Sequence, residues 1–159
     1  MIISITRIII ITVLITTIIW FFKKDQMSKI HIFSKLLIFS ILLSAAMGLE
    51  YILFQLRPVL IEAHNNKSIL IDHYYGLNAA FIFAVSQIIS VFYILQNNRA
   101  YLAWLIPAMV YLFSIGIFGS VVFDKTIMIF ADTIRVILIL ILLVLHEKNT
   151  ISGQDRSAT

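Results

Sequence analysis

Cysteine is absent from the chain, which excludes disulfides, thiolate metal sites and a nucleophilic thiol. Charge is scarce as well: 13% of residues are Asp, Glu, Lys or Arg, against about 25% in an ordinary soluble domain. Proline occurs twice and glycine five times, so long helices meet few breakers. No glycine-rich phosphate loop, serine nucleophile elbow or carboxylate motif of a lipid-modifying enzyme occurs, which weakens an enzymatic reading. A basic face interleaved with aromatics is also missing, so the net charge of +4 does not point to direct contact with nucleic acid. No cofactor is expected.

Apolar side chains fill the sequence instead. Hydrophobic types make up 61% of the 159 residues and the mean hydropathy is +1.02, more than a water-soluble fold of this size could cover. A crossing takes about 20 residues, so the chain has room for five or six spans and little else. Five runs emerge, at residues 2–22, 31–56, 72–95, 101–122 and 127–145. They predict an all-α, polytopic transmembrane bundle over residues 1–148, followed by a short polar cytoplasmic tail, 149–159. The first run lacks the basic flank and small-residue end of a cleaved signal and reads as a retained helix. Proline at Pro58 closes the second run, and Pro107 inside the fourth should bend it by removing one backbone hydrogen bond.

Orientation follows from the loops, because cytoplasmic loops carry the excess of Lys and Arg. Lys23, Lys24, Lys29, Lys35, Arg99, Lys148 and Arg156 fall on one face, against Arg57, Lys67 and Lys125 on the other. The N-terminus is therefore expected outside and the C-terminus in the cytoplasm. Trp20, Tyr101 and Trp104 would form a cytoplasmic aromatic belt, with Tyr51, Tyr74 and Tyr75 in the outer one.

Helices in lipid associate through small residues that let backbones approach. Ser40, Ser44 and Gly48 recur at fourfold spacing on the second span, Gly76, Ala80 and Ala84 on the third, and Gly116 and Ser120 on the fourth. Spans two, three and four are accordingly expected to pack most tightly, while the bulkier first and fifth face lipid or a second copy.

Four ionisable residues fall inside the spans: Arg7, Glu50, Asp132 and Arg135. Charges are costly in hydrocarbon and mark functional positions by default. At about 1.5 Å of rise per residue, all four lie in the outer half of the bilayer, with Arg135 within about 2 Å of the midplane. Asp132 and Arg135 are three apart and share a helix face, and two acids with two bases can form a neutral cluster that Asn78 would complete. Two readings follow: a buried knot that specifies helix pairing, or a water-filled vestibule open to the outside that meets a ligand, a proton or a lipid headgroup. For Arg7 the simpler expectation is snorkelling to the interface. Metal binding has little support, because His64 and His73 are the only histidines that could converge, with Glu62 and Asp72, and no metal spacing is present.

The functional expectation is a non-enzymatic inner-membrane subunit that binds the bilayer and either a second copy or a partner protein. It would act as a sensor, an immunity factor or a phage-defence component in the plasma membrane of a bacterium. The grounds are small size, the absence of any soluble domain, and an isoleucine-heavy composition of the kind an AT-rich gene produces. A small channel or transporter using the charged outer half is the alternative, and an intramembrane enzyme using Glu50 or Asp132 comes third.

Overall fold

The computed structural model describes residues 2–56, 70–123 and 126–157, and side chains within 3–54, 79–114 and 132–149. All regular structure among the described residues is helical. The helices are α1 (Ile2–Lys29), α2 (Ile32–Glu50), a π-helical turn (Tyr51–Leu56), α3 (Leu70–Leu95), α4 (Tyr101–Phe123) and α5 (Thr126–Ser157). Two stretches are long and apolar enough to cross a membrane, Ile3–Lys29 and Ile32–Phe54. Shorter apolar stretches, Ala79–Leu95 and Tyr101–Ser114, lie in α3 and α4.

Local chemistry sets the ends. Backbone geometry breaks at Lys23 (φ −131°, ψ 24°), where the apolar run of α1 meets Lys23, Lys24 and Asp25, and the helix resumes to Lys29. His31 caps α2, its Nδ1 accepting from the Phe33 N–H. Between α3 and α4 the polar run Gln96–Asn97–Asn98–Arg99 serves both neighbours. Asn97 takes a left-handed conformation (φ 52°), the Asn97 and Asn98 N–H groups return to the carbonyls of Ile94 and Tyr93, and the Asn98 side chain accepts from the Ala100 N–H. The result is a Schellman C-cap followed at once by an Asn N-cap, which explains so short a hairpin. Helix α4 runs through Pro107, which deprives the Ala103 carbonyl of its donor. At the adjoining carbonyl, Trp104 O, Ser86 of α3 donates a hydrogen bond of 2.5 Å.

The helices α2, α3, α4 and α5 close a ring, each packing on the next and α5 returning to α2. Its core comprises Leu37, Ile38, Ile41, Val91, Ile94, Leu105 and Ile139, all 2% exposed or less. At the α2–α3 contact a Cβ built on Gly48 would lie 3.6 Å from Ala84 Cβ, so these two members of the expected small-residue stripes do approach. Ser44 is buried on the same helix, whereas Ser40 and Ala80 are half-buried. The side chains of Ser120, like positions Gly76 and Gly116, lie outside the described side chains.

One expectation about packing changes. The fifth helix has an inner as well as an outer face: Val136, Ile139 and Leu142 are buried and α5 completes the ring, while Ile134, Ile137, Ile141 and Val144 keep the expected bulky face exposed. Only α1 is peripheral, resting on α2 with a slight contact to α3. Of its most apolar window only 11% is buried, against 50% for α2.

Candidate functional site

Hydrogen bonds tie the ring together at each end, and they show which helix ends lie together. At one end the later turns of α2 meet the start of α1 on one side and the early turns of α5 on the other. Glu50 is buried on α2 (1% exposed). Ser4 Oγ donates to Glu50 Oε1 at 2.8 Å and Arg7 Nη1 stands 3.9 Å from the same oxygen, with its guanidinium 4.3 Å from the centre of the Phe54 ring. Arg7 therefore faces α2 and the π-helical turn. On α5, Arg135 Nη2 meets Asp132 Oδ1 at 2.6 Å, while Nη1 reaches the Met47 sulfur of α2 at 3.5 Å.

The four ionisable residues thus form two pairs rather than one knot. Arg7 serves Glu50, Arg135 serves Asp132, and Met47 and Glu50, three apart on α2, stand between them. Depth in the bilayer can be counted along a helix, but azimuth decides pairing. Asn78 and His73 have side chains outside those described, and His64 lies outside the described residues. Among the described residues no group of three His, Cys, Asp or Glu side chains could hold a metal ion.

A second polar knot occupies the opposite end, and sequence reasoning missed it. Ser34 of α2 and His146 Nδ1 of α5 are hydrogen-bonded at 2.8 Å and buried. The Tyr101 ring stands edge-on to His146, and its hydroxyl donates to Glu147 Oε1. Arg99, placed by the Asn-capped turn, lies 3.5 Å from Glu147 Oε2. Three helix ends are joined through α5. His146 and Glu147 follow directly on the fifth apolar run without any motif, and Tyr101 was expected in the cytoplasmic aromatic belt. The available signal was spacing: three polar groups, Arg99, Tyr101 and the His–Glu pair, fall at one predicted depth.

Burial pushes the His146 imidazole below its ordinary value, and neighbouring Glu147 opposes that shift. The folded protein therefore binds its proton at lower pH than the unfolded chain does. Above about pH 6.5 the residue is neutral in both states and has no effect. As pH falls below that, the unfolded chain takes up the proton first and stability declines. Unfolding midpoints in detergent should drop on acidification from about pH 7 to pH 5, and His146→Gln should flatten that slope. An equal slope in the variant would remove His146 as its cause.

Between the two knots lies a polar band inside the ring. Ser44, Gln87 and Ser90 are each 2% exposed or less. Ser90 Oγ donates to the Gln87 backbone carbonyl at 2.6 Å, but Ser44 Oγ and Gln87 Oε1 have no hydrogen-bond partner, nor does Arg135 Nε. No protein-family model, curated protein or solved structure matches the chain.

Proposed function

We infer that the protein is a multi-pass bacterial inner-membrane subunit without catalytic activity, crossing the bilayer five times with its N-terminus outside and its C-terminus in the cytoplasm. One observation carries the membrane reading: large apolar side chains cover the outside of the helices although several polar groups are buried within. Glu50, Ser44, Gln87, Ser90 and His146 are buried, while Ile9, Ile10, Phe21, Ile82, Val110 and Val144 are exposed on the helix flanks. A soluble core helix would be largely covered, and the α1 window is 11% buried. At about 1.5 Å per residue, the 26, 23 and 32 residues of α3, α4 and α5 also have the length to cross about 30 Å of hydrocarbon.

The uncovered flank of α1 supports work by association, with a second copy or a partner protein, in a sensing, immunity or phage-defence role. Native mass measurement in nanodiscs should give an oligomer or a co-purifying protein; a bare monomer would overturn the assembly reading. Orientation has its own test in this cysteine-free chain. Single cysteines placed at Asn66 and Asn98 should react differently with an impermeant maleimide on intact cells. Labelling at Asn98 alone would reverse the topology.

A channel or transporter is the second reading, favoured by Glu50, Asp132 and Arg135 lying inside the helix assembly. Glu50→Gln and Asp132→Asn separate the two: a scaffold keeps its biological activity with amides there, whereas a charge-dependent pathway loses it.

A further inference from the structure

We propose that the interior of the α2–α5 ring binds water at the level of Ser44 and Gln87, forming a hydrated site that reaches from Arg135 to the middle of the bundle.

Register places the groups together. The start of α2, the start of α4 and the later turns of α5 share one end through Ser34, Tyr101, His146 and Glu147. The capped turn puts the end of α3 there too, so α2 and α3 are antiparallel. Gly48 and Ala84 oppose each other across them. Ser44 is four residues back from Gly48 on α2, and Gln87 is three residues on from Ala84 on α3. At about 1.5 Å per residue both lie about one turn further into the bundle, at one level. Each also shares a helix face with its reference residue, since three or four residues make a turn. Arg135 sits on the charged side of that level, because its Nη1 reaches Met47, which is next to Gly48 and three residues from Ser44.

Their unmet hydrogen bonds are complementary. Arg135 Nε is a donor, Gln87 Oε1 an acceptor and Ser44 Oγ either, and all three atoms are buried without a partner. Direct pairing is not what they form, so a mediator is needed that accepts from the guanidinium and donates to the amide oxygen. Water does both, and a buried water is held by two to four such groups. The Arg135–Asp132 pair is close and net neutral, so it calls for neither a metal cation nor a free anion as counter-ion. The site ends inward at Ile41, Val91, Leu105 and Ile139, all buried and apolar, which offer water nothing. None of this depends on which face of the bundle is outside.

Water-edited solid-state NMR of the full chain in lipid bilayers tests it. Magnetisation from water protons should reach the Gln87 side-chain amide and Arg135 Nε severalfold faster than the Val91 and Ile41 amides. Transfer to Gln87 and Arg135 no faster than to Val91 would overturn the proposal. Stability gives an independent check through Ser44→Ala combined with Gln87→Leu. A dry pair of orphans should become more stable when replaced by apolar groups, whereas loss of the bound water leaves Arg135 Nε stranded and lowers the unfolding midpoint. A raised midpoint would overturn the proposal as well. Both readouts are independent of the span count and of any partner, so a failed topology or assembly test leaves them standing.

Discussion

Arg135→Leu is expected to lose about 3–5 kcal/mol of stability, and Arg135→Leu with Asp132→Leu to regain most of it. The pair is close, 2.6 Å, and mostly enclosed, with 13% and 21% of the two side chains exposed. Removing the guanidinium leaves the Asp132 carboxylate, mostly enclosed, with no counter-charge, and it must then take up a proton or draw in solvent. Removing both groups removes the problem, because well-packed apolar residues can replace a buried ion pair at little cost. SDS or thermal unfolding of the two single variants and the double in nanodiscs measures this. A double variant as unstable as the singles would mean that the pair is not the coupled unit its geometry describes. Biological activity adds a further distinction: a double variant that folds but is inactive makes the pair a working site, and one that folds and works makes it structural glue.

Tyr101→Ala is expected to cost about 3–5 kcal/mol, comparable with other aromatic truncations in close-packed cores. The ring is 2% exposed and belongs to the main core cluster, so its loss opens a cavity among α2, α4 and α5. Tyr101→Phe isolates the hydroxyl, which donates to Glu147. Hydrogen bonds to charged groups contribute about 1.5–3 kcal/mol, so the Phe variant should fall between wild type and Ala. Arg99, 67% exposed beside Glu147, should matter far less, since a solvated partner adds little. Equal losses for Phe and Ala would place the whole effect in the hydrogen bond and leave none for packing.

Much of the helical plan is legible along the chain because a membrane-length helix needs only an uninterrupted apolar run, and prolines and charge clusters punctuate those runs. The arrangement around each helix is far less legible. In α1 and α2 apolar residues occur on every side, so periodicity does not single out a buried face, and the ring-closing role of α5 could not be told from the peripheral role of α1. Gly48 was readable because a missing side chain limits what can oppose it; Ser40, of the same stripe, is half-buried and shows that spacing alone is not contact. The charged residues were readable as unusual, but their partners were not. Glu50 and Arg135 share a half of the bundle, yet Glu50 turns to α1 while Arg135 stays with its own helix. Gln87 was overlooked because an amide inside an apolar run has no charge to flag it, although burying its oxygen without a partner is itself costly.

Ring closure between α5 and α2 has a consequence for the order of biogenesis. Helices enter the bilayer largely as independent units and then associate. On the proposed membrane reading, one side of α2 lacks its neighbour while α2, α3 and α4 are made, and closure waits for α5, which follows them in the chain. That helix carries Asp132 and Arg135 three residues apart, so they can pair on its own surface before any other helix is met. On that same reading α5 can thus enter the bilayer with the Arg135 charge already compensated, and docking on α2 brings that compensated group to Met47.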